Sequence, residues 1–200
     1  MHISDGVLSL EVVVAASVIA AIFLIYSINN LENEDITLVS SMSAMFFVAS
    51  FIHIPIGPTQ IHLVLIGIIG ILLGKRVFLS ISIALLLQAM LLGFGGLTTL
   101  GVNLIIMAVP AFMISVLYEN KMLDFLNEKI KFFLIGFIPV LLSTLLLALM
   151  LTLAKDEFVY VSYTVIFANI PAMVIEGFIT LFLLNYLKKS IPWVLNKANT

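Results

Sequence analysis

Residues 131–154 read KFFLIGFIPVLLSTLLLALMLTLA, 24 positions with one charge, at the first. A membrane-spanning helix needs about 20 consecutive, mostly apolar residues, and this run supplies them without interruption. The rest of the chain follows the same pattern. Apolar segments fall at roughly 9–28, 36–54, 61–74, 77–94, 98–118, 131–154 and 160–187, the third short and the last carrying Pro171, which is expected to kink it. Runs of this length far exceed the strands of a membrane barrel. Across its 200 residues the chain is 62% apolar and 10% charged, with a mean hydropathy of +1.26, against about 25% charged in a soluble domain. The expected fold is all-α: one transmembrane domain over 1–200, a bundle of about seven helices. The N-terminus lacks the basic stretch of a secretory signal, so the first apolar segment is expected to be kept as a helix.

Lysine and arginine orient the bundle. The connectors at 29–35, 75–76 and 119–131 and the C-terminal tail hold Lys75, Arg76, Lys121, Lys129, Lys131, Lys188, Lys189 and Lys197, whereas the opposite set holds only Lys155. This places the first set and the C-terminus in the cytoplasm and the N-terminus outside. The 29–35 connector is discordant, since it carries Glu32, Glu34 and Asp35 and no base. Within 119–131, Met122, Leu126 and Ile130 recur at four-residue spacing among charges, the pattern of one amphipathic helix.

This topology gathers polar residues at the outer face. His2, His53 and His62, all the histidines of the chain, fall there, with Gln88, Thr98, Thr99 and Asn103 around the 95–97 connector. Polar groups in membrane helices are costly and mark sites or pathways, although amides and hydroxyls also join helices. A lone histidine is more often structural; three on one face of so apolar a chain point to a metal site. With no cysteine, disulfides, iron–sulfur clusters and thiolate sites are excluded, leaving nitrogen or oxygen, or weakly thioether, as donors. Met1-His2 offers three nitrogens in fused chelate rings: the terminal amine, the His2 amide and the His2 imidazole. A fourth, from His62 or His53, would complete a planar set that favours Ni(II) or Cu(II). Asp5-Gly6 is a turn that could fold this segment into the mouth of the bundle, and Gly93, Gly95, Gly96 and Gly101 allow close backbone approach there.

Other chemistry is missing. The segment 70–76, GILLGKR, has neither the glycine spacing nor the hydroxyl of a nucleotide-binding loop. No HExxH, no Ser/His/Asp set and no row of intramembrane acids is found, and Glu176 is the one carboxylate well inside a span, expected to bind helices together or to sense a partner. The chain is therefore expected to be no enzyme, and any work of transport must come from other subunits. A metal-responsive membrane sensor and a stand-alone metal carrier are the competing functions.

Met1-His2-Ile3-Ser4-Asp5-Gly6-Val7-Leu8 resembles the opening of the CbiM/NikM family, the substrate-binding components of energy-coupling factor (ECF) transporters for cobalt and nickel. Ile54-Pro55 followed by Ile61-His62-Leu63 is similar to the family's second histidine motif. The stretch 95–103, GGLTTLGVN, with Met107, resembles its glycine-rich element, and Pro171 with Glu176-Gly177 and Thr180 its last-helix motif. The resemblance implies six or seven helices with the N-terminus inserted from outside, and Ni(2+) or Co(2+) as transported substrate without an organic cofactor. It implies ligation by Met1, His2 and His62, selecting His62 over His53. His53, Asp5, Gln88, Thr99 and Asn103 are then expected beside the ligands. The implied partners are a transmembrane coupling subunit, two cytoplasmic ATPase subunits and a small accessory membrane protein, in a prokaryotic cell membrane. Because a terminal amine at Met1 is integral to the chelate, an intact mass of the purified protein should show Met1 retained; its removal would exclude this geometry.

Overall fold

The computed structural model describes residues 2–56, 59–191 and 195. Met1, Gly57, Pro58 and Lys197 lie outside the described residues. The helices are α1 (Leu10–Asn29), α2 (Ile36–Ala49), α3 (Ile66–Leu73), α4 (Val77–Leu87, continued by a π-helical turn at Gln88–Leu92), α5 (Leu100–Glu119), α6 (Glu128–Ala154) and α7 (Val159–Ser190). α7 continues through Pro171. Among the described residues, five helical stretches are long and apolar enough to cross a membrane: Leu10–Asn29, Ile66–Leu92, Leu100–Glu119, Glu128–Ala154 and Val159–Ser190. Their outward faces are apolar, with Leu10, Phe167 and Phe182 largely exposed, as lipid-facing helices require.

The sequence segments match these helices closely, with two differences. The expected second and third spans, 36–54 and 61–74, give up their facing ends to a two-stranded antiparallel hairpin, β1 (His53–Ile56) and β2 (Thr59–His62). Apolar periodicity cannot separate a short buried strand from a helix, and Pro55 disfavours helix for the residue before it. The expected amphipathic helix across 119–131 is also absent. α5 ends at Glu119, residues 120–126 are turns and a bend, and α6 begins at Glu128. Lys121 takes a left-handed φ of 57°, which a helix cannot contain. The Asn127 side chain then caps α6 by accepting from the Lys129 N–H (3.0 Å).

α3 and α4 do not run on as one straight rod. Twenty-seven residues of helix would extend about 40 Å, yet the rings of His62 and Phe94, just beyond the two ends, lie 5.9 Å apart. The chain therefore reverses at Gly74–Arg76, where Gly74 has φ +52°. α3 is the centre of the bundle, with all eight residues buried. It fits because Gly67 and Gly70 lack side chains: a Cβ on Gly67 would lie 2.1 Å from the Ile135 carbonyl oxygen of α6, and one on Gly70 2.2 Å from that of Ala111 in α5. Gly101 gives α1 the same close approach at Ser17.

The basic end is also where acids sit. Arg76 pairs with buried Asp35 (2.7 Å) and donates to the Asn30 carbonyl (3.3 Å), so the acidic 29–35 connector receives its positive charge from the next connector on the same end. Lys131–Asp124 and Lys188–Glu128 add two more pairs at 2.5 and 2.6 Å. Gly70→Val should cost about 3 kcal/mol or more, because backbone on the far side of the contact cannot yield as a side chain would. Thermal unfolding in detergent should show a clearly lowered Tm; an unchanged Tm would refute the close-packed reading of α3.

Candidate functional site

The N-terminal segment lies across the end of the bundle opposite the basic connectors. A turn at Asp5-Gly6, with Gly6 at φ +81°, brings residues 2–5 against the 93–103 stretch. Ile3 is 2% exposed, so its peptide groups are out of water and need partners. The Asn103 side chain supplies two. Its Oδ1 accepts from the Ile3 N–H (2.8 Å) and its Nδ2 donates to the Ile3 carbonyl (3.0 Å). The Thr99 hydroxyl donates to the same carbonyl (2.7 Å). An asparagine here pairs with the N–H and the C=O of one residue as a neighbouring strand would, and holds the segment at a fixed depth.

Asp5 anchors the other end. Its Oδ1 accepts from the N–H groups of Thr98 (3.1 Å) and Thr99 (3.2 Å) and from the Thr98 hydroxyl. It thereby caps the start of α5 from outside the helix, where a carboxylate also meets the helix dipole favourably. The Thr98 hydroxyl, with the backbone N–H groups, lowers the Asp5 pKa and keeps it ionised. The glycines make room: a Cβ on Gly96 would overlap the Asp5 carboxylate at 1.9 Å, and one on Gly95 would lie 2.8 Å from Asn103 Nδ2.

So held, His2 meets His62. Their rings stack with centroids 5.1 Å apart and planes 16° apart, and Phe94 lies near-parallel to both, at 6.3 Å from His2 and 5.9 Å from His62. Both His2 ring nitrogens are buried without a hydrogen-bond partner among the described residues. Burial chiefly, with the neighbouring His62 adding, holds the His2 pKa well below the usual histidine value. Its imidazole is therefore neutral at pH 7, the form that binds metals. Buried polar atoms without partners are rare and call for an explanation such as a missing ion. Among the described residues no three His, Asp or Glu side chains converge on a metal-sized point.

The other expected residues are placed as follows. His53 stands directly opposite His62 in the hairpin register. Gln88 is fully buried at the π-turn, its carbonyl accepting from the Phe94 N–H (3.2 Å) while its side-chain amide has no partner among the described residues. One participant, Phe94, escapes a reading of the sequence; Glu176 is expected from it to bind helices together or to sense a partner. Phe94, an aromatic just before Gly95-Gly96, walls the histidine pair. Glu176 accepts from the N–H groups of Val64 (2.5 Å) and Leu65 (3.1 Å), binding α7 to the segment that follows His62. A lone carboxylate inside a span was its signal; its partners, being main chain, carried none.

Comparison with known proteins agrees with this architecture. Residues 2–194 match the family described as CbiM, cobalt uptake substrate-specific transmembrane region. The chain belongs to that family. A Haemophilus influenzae protein whose name assigns it to metal transport is 32% identical over 99% of this chain and 98% of its own length. The cobalt transport protein CbiM of Kyrpidia tusciae is 30% identical over 99% of this chain and 87% of its own. The fused nickel transport protein NikMN of Rhodobacter capsulatus is 38% identical over 58% of this chain, which spans 35% of that longer protein. A crystal structure of a transition metal transporter superposes with a TM-score of 0.82 at 24% identity, covering 94% of this chain and 93% of the other, and so shares the fold. Family and fold together make this a multi-pass membrane protein of the cobalt-uptake class.

Asn103→Ala leaves the buried Ile3 N–H without its partner and removes one of two donors to its carbonyl, at about 1–3 kcal/mol. Amide hydrogen exchange of the N-terminal segment should accelerate by about 10–100-fold while the helices stay protected. Unchanged exchange at Ile3 would mean that Asn103 does not hold the segment.

Proposed function

We propose that the chain is the metal-capturing subunit of an ATP-driven ECF importer for nickel or cobalt ions. It binds the ion at the outer face through the Met1 amine, the His2 amide and imidazole, and His62. The observation that carries this reading is the His2 imidazole, both of its ring nitrogens buried and unpartnered among the described residues, stacked on His62. The names of the relatives support nickel and cobalt as the class of ion, and the affinity order of nitrogen sites slightly favours nickel.

His53, Asp5, Gln88, Thr99 and Asn103 support the ligands in this scheme. Asp5, Thr99 and Asn103 carry the N-terminal segment, so they set where the chelate sits. The chain holds no nucleotide-binding loop, and capture alone moves no ion across the membrane. A transmembrane coupling subunit and cytoplasmic ATPase subunits, with a small accessory membrane protein, supply that work. They would meet the basic end, where Arg76, Lys131 and Lys188 lie.

One residue inserted between Met1 and His2 breaks the fused chelate rings without touching the bundle. Titration with Ni(II), read by visible absorbance, should show affinity down by at least about 100-fold, or ~2.7 kcal/mol, with the Tm of the metal-free protein unchanged. His62→Ala should do the same and His53→Ala should be milder; normal affinity after the insertion would sink the chelate. Binding also displaces protons. A terminal amine has a pKa of ~7.7–8.0, so apparent affinity should fall as pH drops below that value, by about tenfold per pH unit for each proton displaced. A flat profile from pH 8 to 6 would exclude the amine as a ligand.

A further inference from the structure

Glu176 is 1% exposed, and the capture reading gives it no task. Asp35, another buried acid, is neutralised by Arg76, whereas Glu176 has no ion-pair partner among the described residues. Its carboxylate takes main-chain donors instead: the Val64 N–H at 2.5 Å on Oε1, and the Leu65 N–H at 3.1 Å from each oxygen.

The peptide unit that carries the Val64 N–H carries the Leu63 carbonyl on its other edge. That carbonyl oxygen lies 3.1 Å from His62 Nδ1. A carbonyl only accepts, so Nδ1 holds the proton and the ring's lone pair sits on Nε2. Carboxylate, peptide and imidazole therefore form one continuous chain of hydrogen bonds. Metal-binding histidines commonly donate their second N–H to a carboxylate or a carbonyl, which fixes the ring and raises its basicity. Here the two acceptors stand in series. A peptide whose N–H is bound by a carboxylate is polarised and accepts more strongly at its oxygen, and the effect is larger where water is excluded.

The backbone has been bent to make this contact. Leu65 adopts φ 53°, ψ 23°, a left-handed conformation uncommon for leucine, and such strain persists only where the surroundings hold it. The holder is itself fixed, because Gly136 lets α6 pack directly on the Glu176 carbonyl and Thr180.

We infer that Glu176 is a positioning residue for metal capture: acting through the Leu63–Val64 peptide, it orients His62 and strengthens Nε2 as a donor to bound Ni(II) or Co(II). The inference rests on His62 being a metal ligand, as proposed above.

The test is a double-mutant cycle on the full chain in detergent, with Ni(II) as probe. Glu176→Gln keeps the shape and removes the charge. It should lower Ni(II) affinity by about 10–100-fold, as loss of an outer partner of a metal ligand does, and shift the Ni(II) visible band to longer wavelength. In a His62→Ala background the same substitution should change the remaining affinity by less than about twofold, because the path to the metal is gone. Equal losses in both backgrounds, or no loss with an unmoved band, would overturn the relay. His62→Ala alone tests the underlying reading: if it binds Ni(II) as tightly as the parent, His62 is no ligand, whatever Glu176 does. If Glu176→Gln fails to fold, pulsed electron paramagnetic resonance of the Cu(II)-loaded parent decides. The remote-nitrogen signal lost in His62→Ala should show a quadrupole coupling below that of a water-exposed imidazole; an ordinary coupling would overturn the proposal.

Discussion

One asparagine side chain, Asn103, takes both main-chain groups of Ile3, and the arrangement at this end of the bundle depends on it. An extended segment out of water is stable only when each N–H and C=O finds a partner. A helix or barrel solves that problem internally; buried Ile3 cannot, because residues 2–4 belong to no helix or sheet. Asn103 on α5 and Thr99, one turn earlier at the N-cap of that helix, stand in for the missing strand, and Asp5 closes the far end on the α5 N-terminus. The glycines at 95 and 96 follow from this, since their Cβ atoms would occupy the space of Asn103 and Asp5.

The same constraint governs the second irregular piece, 63–65. The chain leaves the hairpin at His62 and must enter α3 with a left-handed residue, which exposes N–H groups that no helix satisfies. Glu176 reaches across from α7 to accept them. Two side chains, one amide and one carboxylate, thus make tolerable the two departures from helix that flank the histidine pair. Both departures are compensated by helices that come later in the chain, α5 and α7.

Much of this was legible in the residues. The helical segments read from apolar runs match α1 and α4 to α7 within a few positions, because lipid imposes one long, uniform signal. The glycines, Asp5, Thr99 and Asn103 were legible as a group, because polar and small residues stand out against so apolar a background. The hairpin at 53–62 was not, since Ile54, Ile56 and Ile61 extend the apolar runs on either side. Nor was the turn at 120–126, where a four-residue apolar period survives in a segment that Lys121 breaks by its backbone angle. Phe94 and the partners of Glu176 were hidden for a common reason: one acts by the face of its ring and the other through main chain, and neither leaves a mark in residue type. The 29–35 connector looked anomalous only because its positive charge, Arg76, belongs to another loop.

The tie between Ile3 and Asn103 spans 100 residues, and that between Val64 and Glu176 spans 112. Membrane chains are made and inserted from the N-terminus onward. During synthesis the first residues therefore emerge long before the α5 groups that seat them, and His62 long before α7 steadies the segment behind it. Until the last helix is in place, the Val64 and Leu65 N–H groups behind His62 lack the carboxylate that accepts them. An unfinished or truncated chain would thus hold its histidines loosely, and the finished bundle alone would bring them together, so completeness of the chain is itself a condition for an ordered site.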